Sequence, residues 1–150
     1  MASSGRTNQT LYFAQLALKD GAVAAEQGDR AGQRRHEEAA LFHTHVGLVS
    51  FCAELVAQYR LPPFQMLTEL FARDGLPAEL AELVLLSKDS QSWLGQLLIT
   101  QQRVLIQGLE ASKAQEGLIA SQSDYLALIR NWLIELEKLV MRHREHYVEC

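Results

Sequence analysis

The chain has 150 residues, 48% of them hydrophobic and 21% charged, with a formal charge of −4, which is the profile of one globular domain spanning residues 1–150. Folding about 150 residues withdraws roughly 68–70% of the unfolded surface from water, enough for a core that needs no disulfide framework or structural metal. The acidic balance argues against a strongly basic nucleic-acid binder. The longest uncharged and mostly apolar run, residues 39 to 53, falls short of the about 20 residues a membrane-spanning helix needs.

Two cysteines, Cys52 in an apolar run and Cys150 at the last position, make no disulfide pattern. The opening MASSGRTNQT has no apolar stretch of the kind a secretory signal carries. A reduced, cytoplasmic setting is therefore expected, with no membrane partner.

No window alternates apolar and polar residues for long, so the expected class is all-α: a single-domain bundle of five to six helices, two of them short and central. Residues 1–6 read as a flexible N-terminus. The first helix is expected from Thr7 or Asn8, either a competent N-cap, and ends by Gly28. Its apolar residues surround most of the barrel, so it is either the centre of the bundle or packed partly against another subunit.

A longer helix is predicted from about 33 to 59. Leu41, Val46, Leu48, Val49, Cys52, Leu55, Val56 and Tyr59 are expected on one face, with Phe42 at its margin, and His36, His43, Ser50, Glu54 and Gln58 on the other. Pro62 and Pro63 end it, because a residue before proline is pushed out of the helical region. Short helices are expected at 64 to 73 and 77 to 87, separated by Gly75, and a fifth capped by Asp89 or Ser90. The small and polar segment at 111–122, with Gly117, reads as a loop. In the last helix Leu126, Ile129, Leu133, Leu136, Val140, His143 and Tyr147 recur in alternating steps of three and four. This seam calls for a long antiparallel neighbour, and the second helix has the right length.

Five histidines sit in two places, His36/His43/His45 and His143/His146. His36 and His43 are about 10 Å apart along a helix, too far to share one ion. His143 and His146 have ligand-competent spacing, but Leu139 and Val140 one turn earlier cannot ligate. No metal site and no cofactor is expected. Arg30 and His36 in RAGQRRH have a spacing that resembles the motif of small helical ribonucleases of the HEPN class, in which such a pair acts on an RNA phosphate. They are the residues of an alternative ribonuclease or phosphoesterase reading. No nucleophile elbow, phosphate-binding glycine loop or Cys-x-x-Cys pair is present.

The phrases GRTNQTLYFAQLAL, HEEAALFHTHVGLVSFCAELVAQYRLP and PAELAELVLLSKDSQSWLGQLL, with MRHREH near the end, resemble a family of uncharacterised small proteins from gammaproteobacteria, a domain of unknown function. The resemblance covers most of the chain, implies a bacterial cytoplasmic setting, and brings no reaction, cofactor or catalytic residue with it. The functional expectation is a non-enzymatic interaction or regulatory module acting through helix packing. Its surfaces would be Tyr12 and Phe13 on the first helix and the uncovered part of the last seam around Trp132 and Tyr147, and its partner another protein or a second copy of the chain.

Overall fold

The computed structural model describes the backbone of residues 4–116 and 122–149 and the side chains of 4–108 and 125–145. Among the described residues there are six helices and no strand: α1 (Ser4–Glu26), α2 (Arg30–Gln58), α3 (Leu67–Phe71), α4 (Ala78–Lys88), α5 (Trp93–Glu116) and α6 (Gln122–Glu149).

Side-chain caps set the starts of α2 and α5. α1 begins at Ser4, ahead of the expected Thr7 and inside the segment read as flexible. Thr7 is a buried residue within the helix, and the Thr10 hydroxyl donates back to the Thr7 carbonyl at 3.0 Å. α2 also starts earlier than periodicity indicated, because the Asp29 carboxylate accepts the Gly32 N–H at 2.9 Å and satisfies one orphan donor of the first turn. At its other end Arg60 takes a left-handed φ of 54° and the Leu61 N–H reaches back to the Val56 carbonyl at 2.9 Å, closing the helix just before Pro62. The following helix is only five residues long, against the ten expected. The Arg73 guanidinium holds the proline segment instead, donating to the Pro62 and Pro63 carbonyls at 2.7 and 3.0 Å.

Ser92, rather than Asp89 or Ser90, caps α5 through its hydroxyl, which accepts the Gly95 N–H at 2.9 Å. Gly95 is required there, since a Cβ would lie 2.1 Å from the Asp89 carbonyl oxygen. α5 breaks at Gly108, where φ is 79° and ψ is 165°. Helix resumes after this break, so residues 111–116 of the expected loop are helical; residues 117–121 lie outside the described residues.

α1, α2, α5 and α6 form the body. Gly47 lies against Thr10 and Leu11, and Gly21 against Gln33 and His36, so α1 and α2 are antiparallel. Gln15 donates to Glu137 at 2.6 Å while Gly21 approaches Leu126, which makes α6 antiparallel to α1 as well. It therefore runs parallel to α2, contrary to the antiparallel pairing expected from helix length. α2 and α6 meet across the middle of the bundle, with α1 and α5 on either side. The reason is connectivity: α3 and α4 lie between α2 and α5 and leave α6 to return alongside α1 and α5.

The α6 seam is core as expected, with Leu126, Ile129, Leu133, Leu136 and Val140 all buried against Leu41, Leu48 and Leu55 of α2 and Leu94 and Leu97 of α5 in one continuous cluster. By length and composition Arg30–Gln58 reaches the size of a membrane span, which the shorter uncharged run did not indicate. Half of its most apolar window is buried in the bundle.

Candidate functional site

The sequence-derived residues divide by position. α1 is not the centre of the bundle. Its buried stripe consists of Thr7, Thr10, Leu11, Ala14, Ala17, Leu18, Gly21 and Ala24, while Tyr12 is 56% exposed, Leu16 39% and Val23 45% on the opposite side. Phe13 stands at the α1/α2 edge with its ring 5.4 Å from that of His43, which in turn meets exposed Phe42 edge-on at 5.4 Å. Burial, helped by the charge of Arg6, pushes the His43 imidazole below its usual value, and burial alone does so for His45.

Trp132 is not a surface residue. It is 2% exposed, with its indole N–H directed at Gln96 Oε1 at 3.4 Å, because the bulky ring fills the α5/α6 interface. The side chain of Tyr147 lies outside the described residues, as does that of His146.

Arg30 and His36 are not brought together. Arg30 lies with Arg34, Arg35 and Glu38 around an open hollow at the start of α2, whereas the His36 Cβ is directed at α1 beside Gly21. Six positions along a helix amount to a 240° rotation and about 9 Å of rise, so one phosphate cannot meet both.

A set that the sequence did not single out converges where α4 closes against α2 and α6. The His143 imidazole is nine-tenths buried. Its Nε2 is 2.8 Å from Gln58 Oε1, its Nδ1 is 3.6 Å from Glu79 Oε2, and its ring meets Phe51 edge-on at 5.7 Å. The Tyr59 hydroxyl donates to the same Glu79 carboxylate. One turn along α4, Glu82 accepts from Arg142 at 2.7 and 2.8 Å. Beside this junction Arg144 bridges α6 to Glu54 at 3.2 Å and to Asn8 of α1.

Glu79, Glu82, Arg142 and His143 rim a cavity of about 290 Å³ floored by Phe51, Ala78, Leu83 and Leu139. The arrangement can hold an apolar body and hydrogen-bond or charge-pair its polar end. Among the described residues no group of three or more His, Cys, Asp or Glu side chains is placed to hold a metal ion. Cys52, the buried thiol of α2, is pushed up to about 12 by burial, which leaves it without the thiolate that nucleophilic chemistry requires.

A profile of one protein family matches the chain over residues 1–150. The chain belongs to the family of unknown function DUF6586. This agrees with the resemblance to a domain of unknown function carried by the helical phrases, and it adds no reaction, ligand or organism. No curated protein and no solved structure matches the chain.

The junction escaped sequence reasoning because its partners are far apart in the chain. Tyr59 and Glu79 are 20 residues apart, Arg142 and Glu82 are 60, and His143 and Gln58 are 85. The one local signal was Glu79 and Glu82, spaced to share a face of α4.

Proposed function

We propose that this chain is a non-enzymatic interaction module whose first partner is a second copy of itself, paired through the outer face of α1. The observation that carries the reading is the exposed stripe Tyr12, Leu16, Lys19 and Val23. Its steps of four, three and four are those of a helix-packing seam, and α1 already buries its opposite face against α2 and α6. A helix of 23 residues with apolar character on both sides needs a second neighbour.

The charges fit a twofold pairing. Set antiparallel to its copy, the stripe places Tyr12 opposite Val23 and Leu16 opposite the aliphatic stem of Lys19. Asp20 then falls opposite Gln15 and Glu26 opposite Gln9, so no like charges are opposed along α1. Phe13 and Phe42 extend the same apolar face at its edge.

Sedimentation velocity tests this. The wild-type chain, 16.8 kDa, is expected to sediment at twice that mass, and Leu16→Asp at the monomer mass with an unchanged helical circular dichroism spectrum. A wild-type monomer at about 100 μM would overturn the proposal, since specific pairs of standard interface size assemble well below that concentration. So would a dimer that survives Leu16→Asp.

A further inference from the structure

We infer that the cavity between α2, α4 and α6 is a binding site for a small organic cation, an amine carried on a single aromatic ring or short alkyl body. Three observations converge on that class.

The first is shape. A volume of about 290 Å³ lies at the small end of ligand sites, which begin at about 300 Å³, and admits one ring with a short chain. The second is the floor. Phe51, Leu83 and Leu139 present aromatic and aliphatic carbon from three different helices, so an apolar body entering the cavity exchanges water for carbon on three sides. The third is the charge of the lining. Glu79 and Glu82 contribute −2 and Arg142 contributes +1, which leaves −1 with the imidazole counted as neutral.

That remaining charge belongs to Glu79. Arg142 already neutralises Glu82 at 2.7 Å, whereas Glu79 receives the neutral Tyr59 hydroxyl and faces the His143 ring at 3.6 Å. Neither neighbour is a fixed cation of the kind that Arg142 presents to Glu82. An ammonium group at the cavity mouth completes the pairing, and its apolar body covers the floor. An anion of the same shape would instead meet the Glu79 carboxylate at a partly buried position, where like charges repel more strongly than in water.

Nuclear magnetic resonance titration of the full chain distinguishes these cases with three probes that share one body: phenethylamine, phenylacetate and 2-phenylethanol. Phenethylamine is expected to shift the resonances of Phe51, Leu139 and His143 and to bind at least tenfold more tightly than the other two. Glu79→Gln, which keeps the shape and removes the charge, is expected to reduce that preference to less than threefold. Leu83→Phe, which fills the cavity, is expected to abolish binding of all three.

Should Glu79→Gln disturb the junction, as judged by its circular dichroism spectrum, the ranking of the three probes on the wild-type chain decides by itself. The inference is overturned if phenethylamine leaves those resonances unmoved at about 10 mM, corresponding to a free energy weaker than about −3 kcal/mol. Equal binding of the three probes, preference for phenylacetate, or shifts confined to other parts of the bundle would overturn it equally.

Discussion

The α1/α2 hairpin and the α2/α4/α6 junction use the same long helix in opposite ways. Along the hairpin the buried small residues are Ala40, Thr44 and Gly47 of α2 and Ala14, Ala17 and Gly21 of α1, so the two backbones approach closely, and the Thr10 and Thr44 hydroxyls bond back to their own helices. At the junction the last turns of α2 offer Glu54, Gln58 and Tyr59, and the contacts become directional pairs around a cavity. Close packing of small residues supports rigidity. A polar rim over an unfilled apolar floor provides a place for another molecule.

Breaking the hairpin is expected to have the largest effect. A Cβ on Gly47 would lie 2.9 Å from Leu11 Cδ2 and 3.3 Å from Thr10 Oγ1, so Gly47→Leu must push α1 away from α2. We expect a loss of about 2–3 kcal/mol in urea denaturation followed at 222 nm, the upper part of the range for overpacked cores. The matched change at the junction, Tyr59→Phe, removes one hydroxyl from a half-exposed pair and should cost about 1 kcal/mol or less. If the two costs came out equal, the contrast between the regions would fail.

Chemical protection offers a finer measure on the hairpin helix. With its thiol raised from 9.0 to about 12, Cys52 holds about a thousandfold fewer thiolates than an ordinary cysteine. In a Cys150→Ser background, iodoacetamide is expected to label the folded chain negligibly at neutral pH and the urea-unfolded chain fully, as read by mass spectrometry.

The smallest expected effect is that of pH. The folded-state values of His43 and His45 are depressed below 6.5, so their contribution to stability is fully present above that value. As pH falls, the unfolded chain takes up protons that these folded imidazoles resist, and that contribution is lost. The melting temperature should therefore be lower near pH 5 than near pH 7. The His43→Gln/His45→Gln double variant should narrow the difference, and an unchanged difference would place the effect elsewhere.

Much of the fold was legible because helix periodicity is local. The α6 seam from Leu126 to Val140 is buried as its spacing indicated, as are Leu41, Leu48, Cys52, Leu55 and Val56 on the α2 face, whereas Val46 and Val49 of that face are half-buried and Tyr59 is exposed. Errors arose where a single side chain outranked the pattern. Asp29 advanced the start of α2, Ser92 set that of α5, and Gly108 moved the break upstream of the segment whose composition resembled a loop. Trp132 was misplaced for a related reason: an aromatic residue flanking a seam can face a third helix as readily as solvent, and here α5 covers it.

By itself the amino-acid sequence determined that this protein is built of helices, which residues form the α6 seam, and where the prolines interrupt the chain, because those properties depend on neighbours within a few turns. Only the tertiary structure decided that α2 and α6 run parallel, that α1 leaves Tyr12, Leu16 and Val23 uncovered, and that His143 and Glu79 line one cavity while Tyr59 bonds to the same Glu79. Those outcomes depend on how the α3/α4 connection routes the chain, and contacts between residues 20 to 85 positions apart leave no period for sequence reasoning to detect.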